Sequence, residues 1–199
     1  FSAAHVLVTV PLGVLKHGAI QFDPPLPAAK QAAIAALGMG VLNKVYLRFP
    51  RVFWDESAHL LGYAGERKGA WAEWLNLDRV TSQPILLGFN AGSYGRALEA
   101  LSDGEIVAEA LAVLRTIYPA APEPSDSRIT RWASDPLSYG SYSYLAAGAT
   151  PQHYADLAAA VDDRLFFAGE ATSRDYAATV HGAYLSGEQT AARIALLVK

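Results

Sequence analysis

Leu165-Phe166-Phe167-Ala168-Gly169-Glu170-Ala171-Thr172-Ser173 and, a few residues on, Ala178-Thr179-Val180-His181-Gly182-Ala183-Tyr184-Leu185-Ser186-Gly187 are the stretch on which the fold turns. Leu165 to Ala168 is a continuous apolar run of strand length stopped by glycine, and it reads as a short buried strand. Past Thr179, the apolar positions Val180, Ala183, Tyr184, Gly187, Ala191, Ile194 and Val198 recur at helical spacing, which predicts a helix running close to the C-terminus. Strand, glycine, carboxylate, loop and helix in this order form a ligand-binding corner. Gly169 lets backbone approach a ligand closely, and Glu170 offers a carboxylate to sugar-like hydroxyls. Thr179 suits an N-cap, and the helix it opens aims N–H groups and a positive dipole end at whatever fills the loop. A ring that gains negative charge on reduction is stabilised in such a place. The same residues also read as an ordinary strand-to-helix connection with Thr179 as its cap.

Outward from the corner, strand-like and helix-like segments alternate. Ala4 to Val10 reads as a buried strand ending at Pro11, with Gly13 loosening the turn that follows. Pro24, Pro25 and Pro27 mark a crossover into an alanine-rich helix over Pro27 to Leu37, stopped by Gly38 and Gly40. Val45, Leu47 and Phe49 alternate with Lys44, Tyr46 and Arg48, so a strand lies here with Lys44 on the face away from its main apolar side. Leu60 to Tyr63, Ala70 to Leu75 and Ile85 to Phe89 are short strands at hairpin-like spacing, which gives a mixed or antiparallel sheet. Arg51-Val52-Phe53-Trp54 reads as core closure. Ser102 with Glu105 is a capping box opening a helix whose stripe is Ile106, Val107, Ala110, Leu111, Leu114 and Ile117. Arg128 to Ala133 returns as a strand. Tyr142 and Tyr144 share one side of an extended segment with Ser141 and Ser143 opposite, and Thr150 to Val161 is a short helical return.

A chain of 199 residues, 52% of them hydrophobic, buries a substantial core as one large domain or parts of two. The net charge of -3, with no run of lysines or arginines, argues against a nucleic-acid partner. The apolar run from Val6 to Leu15 is too short to span a bilayer and contains Pro11, which argues against a membrane partner. With no cysteine there is no disulfide frame, thiolate nucleophile or cysteine-anchored metal, which fits a reducing cytoplasm. No Ser/His/Asp triad or metal-spaced His cluster is present, so a metal site is not expected. Phe1 at the start points to a processed N-terminus or to a piece of a longer protein.

The corner, read as Leu165 to Thr172 with Ala178 to Ala183, resembles the C-terminal FAD-binding segment of the flavin-dependent amine oxidases. Within them it is most similar to polyamine oxidases and the flavin-type histone lysine demethylases. The resemblance extends through Thr9-Val10-Pro11-Leu12-Gly13-Val14-Leu15-Lys16, Leu42-Asn43-Lys44-Val45, Arg51-Val52-Phe53-Trp54 and Gly140-Ser141-Tyr142-Ser143-Tyr144. It implies an α/β (α+β) fold: a mixed-sheet substrate-binding domain over residues 21–160 flanked by helices, and parts of a Rossmann-like FAD-binding domain at 1–20 and 161–199. It implies non-covalent FAD, placed by Val10, Pro11, Leu12, Trp132, Gly169, Glu170, Thr179 and Val180. Lys44 matches the lysine that hydrogen-bonds a water at flavin N5. Tyr142 matches one wall of an aromatic cage that holds an amine and steers its α-carbon, with Tyr144 and Thr179 beside it. Lys44 and Tyr142 are then the catalytic pair.

The implied reaction passes a hydride from a C–N carbon to FAD, water hydrolyses the imine to aldehyde and shorter amine, and O2 reoxidises the flavin to give hydrogen peroxide. Three departures stand out. No Gly-x-Gly-x-x-Gly turn follows a strand here, so the N-terminal half that binds the ADP part of FAD is an implied partner, and the 199 residues alone are expected to be inactive. Ala177 stands where many relatives have proline, which implies a slightly looser loop, and Leu137 stands where the demethylases tend to have tryptophan. A flavin-free module that keeps these motifs for folding and acts by binding is the alternative reading. The residues leave the amine itself open.

Overall fold

In chain order the first elements are β1 (Val6–Val8), α1 (Leu12–Lys16), α2 (Ala28–Ala36), β2 (Gly38–Met39), β3 (Leu42–Arg48), β4 (Leu60–Gly62), β5 (Glu73–Asn76), α3 (Asp78–Thr81) and β6 (Ile85–Ala91). They continue with α4 (Gly92–Leu98), α5 (Asp103–Ile117), β7 (Asp126–Ile129), β8 (Ser143–Tyr144), α6 (Gln152–Ala158), β9 (Leu165–Phe167), a 3-10 turn over Glu170–Thr172 and α7 (Val180–Leu197). The structure is a computed structural model describing residues 1–198. Its contacts divide it into two units, Val41–Ser134 and Phe1–Gly40 with the chain from Asp135 onward.

The unit Val41–Ser134 is built on a sheet in the order β4-β5-β6-β3-β7. Of the two possibilities left open by the sequence, the antiparallel one is realised at every pairing. The period-2 pattern of β3 is as read: Val45, Leu47 and Phe49 are buried and Lys44 and Tyr46 half-exposed. The buried side of the sheet packs on Tyr94 and Leu98 of α4 and on Ile106, Ala110, Leu111 and Leu114 of α5. Each such leucine or isoleucine contributes about 1.5–3 kcal/mol on burial, which makes this core the main stabilising mass of the unit. The capping box opens α5: Ser102 Oγ accepts from Glu105 N, and Ser102 N donates to the Glu105 carboxylate. Phe49, Phe53, Trp54 and Tyr118 meet edge to face, which is the core closure expected of Arg51-Val52-Phe53-Trp54.

Several strands are shorter than expected, β1 among them: it covers Val6–Val8 and not Ala4 to Val10, and it is exposed to half-buried, not buried. Trp71 sits at φ +51° and stacks on Trp74 with ring centroids 5.4 Å apart, so extension begins only at Glu73. The strand expected over Arg128 to Ala133 stops at Ile129 and gives way to turns. Helix α4 was not legible because Gly92 and Gly95 depress its propensity; Gly95 is there because a Cβ would stand 2.5 Å from Asn90 O.

In the other unit β1 and β9 pair in parallel, with Val6 opposite Leu165 and Val8 opposite Phe167. Pro11 is followed by helix α1 and not by a loosened turn. Gly13 is required there for a different reason: the carbonyl oxygens of Ser138 and Tyr139 occupy the place of a Cβ. Leu12, Ala33, Leu37, Met39, Tyr154, Leu157 and Ala171 form one core, which draws α2 and α6 together. Residues 21–40 and 135–160 pack with this unit, which divides from the other after Gly40 and Ser134, whereas the functional domain boundaries were expected at residues 20/21 and 160/161. Helix α7 runs over Val180–Leu197 as the spacing predicts, but Val180 and Tyr184 of its apolar stripe are 89% and 64% exposed.

Candidate functional site

Gly169, two residues past the end of β9, sits at φ +140°, a conformation glycine adopts without strain, and no atom lies within 4 Å of where a Cβ would stand. Its N–H donates to Ser186 Oγ at 2.9 Å, so a buried serine of α7 fixes the glycine; periodicity alone gives no sign of this. The Glu170 carboxylate proves to be a clamp within the protein. Oε1 accepts from Ser143 N at 2.9 Å, and Oε2 accepts from Ser143 Oγ and Ala178 N, each at 2.7 Å. A carboxylate has about four lone-pair directions, so the expected role of accepting ligand hydroxyls is reduced to a single one on Oε1.

Thr179 is the N-cap of α7, its Oγ1 accepting from Gly182 N at 3.0 Å and donating to Tyr176 O at 2.6 Å. That hydroxyl is committed to the cap and the loop, and the substrate contact expected of it has no hydroxyl proton left to use. Gly182 cannot be replaced quietly, because a Cβ would overlap the Tyr176 carbonyl. With Val180 exposed, the first turn of α7 presents its N-terminal end to solvent. Val10, Pro11 and Leu12 face Ser141, Gly169 and Glu170 across a cavity of about 200 Å³.

Tyr142 and Tyr144 lie on one side of β8 as predicted, 37% and 50% exposed, with Ser143 buried between them. Gly40 N donates to Tyr142 O at 2.8 Å, and the Tyr144 ring lies over Gly38, where it fills the space of a Cβ. The β2–β8 pair behind this arrangement was invisible in the sequence, since Gly38 and Gly40 read only as helix stops.

Lys44 and Trp132 belong to the unit Val41–Ser134. Lys44 is half-exposed and stands opposite Phe89 of β6. Its N–H donates to Thr130 Oγ1 at 2.8 Å and its carbonyl accepts from Thr130 N at 3.0 Å. The Trp132 N–H donates to Asn43 Oδ1 at 2.9 Å, and Asn43 Nδ2 donates to Glu99 Oε1 at 2.7 Å and to Gly95 O at 3.0 Å. Glu99 also accepts from the N–H groups of Ala133 and Ser134, each at 2.8 Å. Burial pushes the Glu99 carboxyl up, but the bonds from Asn43, Ala133 and Ser134 outweigh it and hold its pKa below the usual carboxylate range. Asn43 and Glu99 were missed; the signal was a polar Asn43 on the side of β3 taken by Val45 and Leu47.

The structure thus gathers Val10, Pro11, Leu12, Tyr142, Tyr144, Gly169, Glu170, Thr179 and Val180 within one unit and Lys44 with Trp132 in the other. Among the described residues no group of three or more His, Cys, Asp or Glu is placed to hold a metal ion, and no helix is long and apolar enough to cross a membrane.

The family model described as flavin containing amine oxidoreductase matches residues 1–195. "Possible lysine-specific histone demethylase 1" of Drosophila melanogaster is 42% identical over 217 residues, an alignment covering 98% of this chain and 24% of that protein. "Polyamine oxidase 4" of Oryza sativa subsp. japonica is 43% identical over 187 residues, covering 94% of this chain and 38% of that protein. A solved structure of wild-type putrescine oxidase bound to putrescine superposes with a TM-score of 0.82 at 25% identity, over 98% of this chain and 43% of that one. The chain spans roughly a quarter to two fifths of the length of these proteins.

Proposed function

Since the chain belongs to the flavin-containing amine oxidoreductases, we propose that it supplies the substrate-gripping sheet and the ring-facing corner of an FAD-dependent oxidase of polyamine-like amines. The observation that carries this reading is the corner from Gly169 to Val180. A glycine with open space beside it, a carboxylate locking the adjacent loop and an exposed capped helix start all belong to one short segment.

The residues fit part of the cofactor. A cavity of about 200 Å³ is below the ~300–1,000 Å³ of ligand pockets, so it suits one portion of FAD. The rest of the cofactor is assigned to the N-terminal half of the same protein, which is its implied partner. The chain has no cysteine for a thioether link, which supports non-covalent binding. When bound, FAD supplies the hydride acceptor, with the imine passing to aldehyde by hydrolysis and O2 yielding hydrogen peroxide.

The chain's own residues do the positioning. The N-terminal end of α7 offers its partial positive charge to a ring that gains electrons. Tyr142 presents a ring face that attracts a cationic amine by about 0.5–2 kcal/mol. Tyr144 extends the aromatic surface, and its place over Gly38 sets its height. Lys44 would hydrogen-bond a water at flavin N5, as the resemblance implies. A cytoplasmic location completes the reading.

The test is spectroscopic. The chain co-produced with its N-terminal half should be yellow, bleach anaerobically with spermidine or spermine, and release hydrogen peroxide on exposure to air. A colourless complex would replace this reading with the flavin-free binding module, and a yellow one that no polyamine, monoamine or methyl-lysine peptide bleaches would remove the amine-oxidising reaction from it.

A further inference from the structure

Asn43 is 2% exposed on the side of β3 that otherwise carries Val45 and Leu47. A sheet core is served at least as well by leucine there, because a buried amide costs free energy unless its bonds are made. Asn43 makes them all. Nδ2 donates to Gly95 O and Glu99 Oε1, and Oδ1 accepts from Trp132 N at 2.9 Å and Thr130 Oγ1 at 3.3 Å. The polar position is explained by what it holds, which is the irregular segment after β7.

Every residue of that segment is tied. Thr130 exchanges bonds with the backbone of Lys44. The Arg131 guanidinium donates to Leu101 O at 2.8 Å and pairs with Asp103 at 2.7 Å. Trp132 N goes to Asn43, and the N–H groups of Ala133 and Ser134 go to the two oxygens of Glu99. Five consecutive residues without regular structure are thereby as constrained as a strand, and a connected polar network of this kind stiffens what it holds.

We propose that Glu99, acting through Asn43, is a positioning residue for the reaction: it locks residues 130–134 to the Lys44 stretch of β3, so that Lys44 and Trp132 meet the cofactor as one rigid piece. This rests on the flavin reading above, and two measurements separate the two.

In the 199-residue chain, Glu99→Gln should speed amide exchange at Trp132, Ala133 and Ser134 by about tenfold or more while Val45 and Leu47 keep their protection. In the flavin-loaded protein the same variant should lower kcat by about tenfold to a hundredfold with KM nearly unchanged, and should alter the shape of the flavin absorption band. Should Glu99→Gln fail to fold, Glu99→Asp, which keeps the charge and retracts it by one methylene, is read in the same way. Unchanged exchange at residues 132–134 overturns the inference whatever the protein does. Faster exchange with an unaltered flavin band and kcat also overturns it, and leaves the oxidase reading standing. Faster exchange in a protein whose wild type takes up no flavin removes the oxidase reading, and the positioning role of Glu99 with it.

Discussion

Three donors converge on Glu170 from Ser143 and Ala178, and removing their acceptor leaves the two part-buried donors of Ser143 unpaired and frees the exposed Ala178 N–H. Glu170→Ala should therefore cost about 1–3 kcal/mol in denaturant unfolding of its unit, well beyond a surface substitution. A cost below about 0.5 kcal/mol would mean that water replaces the carboxylate without penalty. Gly182 and Gly187 make a paired test on α7. A Cβ at Gly182 collides with the Tyr176 carbonyl, whereas nothing lies within 4 Å of one at Gly187. Gly182→Ala should lower the melting temperature of the unit, and Gly187→Ala should leave it unchanged or raise stability by up to about 1 kcal/mol through helix propensity. In the flavin-loaded protein Lys44→Met should slow flavin reduction or reoxidation; unchanged rates in both half-reactions would remove Lys44 from the mechanism. Residue types at the corner were legible, because an acid after glycine and a threonine before a helical pattern carry local meaning. The partners were not: Ser143 lies far from Glu170 along the chain, and no local rule names it.

Helix α2 and helix α6 meet around Lys30, which is 2% exposed. Its ammonium donates to the carbonyls of Asp156 at 3.1 Å and Leu157 at 2.5 Å, at the negative end of α6, and lies 3.9 Å from the centre of the Phe167 ring. Burial draws its pKa down to about 8, opposed in part by Asp156. The folded value is below the unfolded one, so between pH about 8 and 10.5 the unfolded chain binds more protons than the folded one, and stability rises with pH across that window. Denaturant titrations should accordingly show wild type gaining on Lys30→Met between pH 7.5 and 10, by the slope that linkage sets. A difference that stays flat would mean the amine ionises as it does in water. Lys16 caps α2 in a similar way, donating to the carbonyls of Ile34, Ala35 and Leu37. Neither lysine was legible as a staple, since each reads as a solvated charge until the second element is in place. The start of α5 was legible, because Ser102 and Glu105 are three residues apart and satisfy each other.

Trp54, Trp71, Trp74 and Trp132 account for all four tryptophans, and all four lie in the unit Val41–Ser134. Tryptophan emission therefore reports that unit alone, while far-ultraviolet dichroism also reports α2, α6 and α7. The unit that contains α7 rests on a smaller core and leaves apolar residues of that helix exposed. The dichroism signal should begin to fall at lower denaturant than the emission signal; coincident curves would show the two units unfolding as one cooperative block. By itself the sequence determined the strand β3 with its two faces, the capped helix α5, the strand-to-helix corner at Gly169 and the family, because period-2 and period-3.6 patterns, caps and motifs are short-range properties of the chain. Only the tertiary structure decided that Glu170 and Asn43 spend their polar atoms on distant backbone, that residues 21–40 and 135–160 fold with the corner, and that one side of α7 stays open. Those outcomes depend on which remote segments meet, and a buried polar group takes its role from the partner that satisfies it.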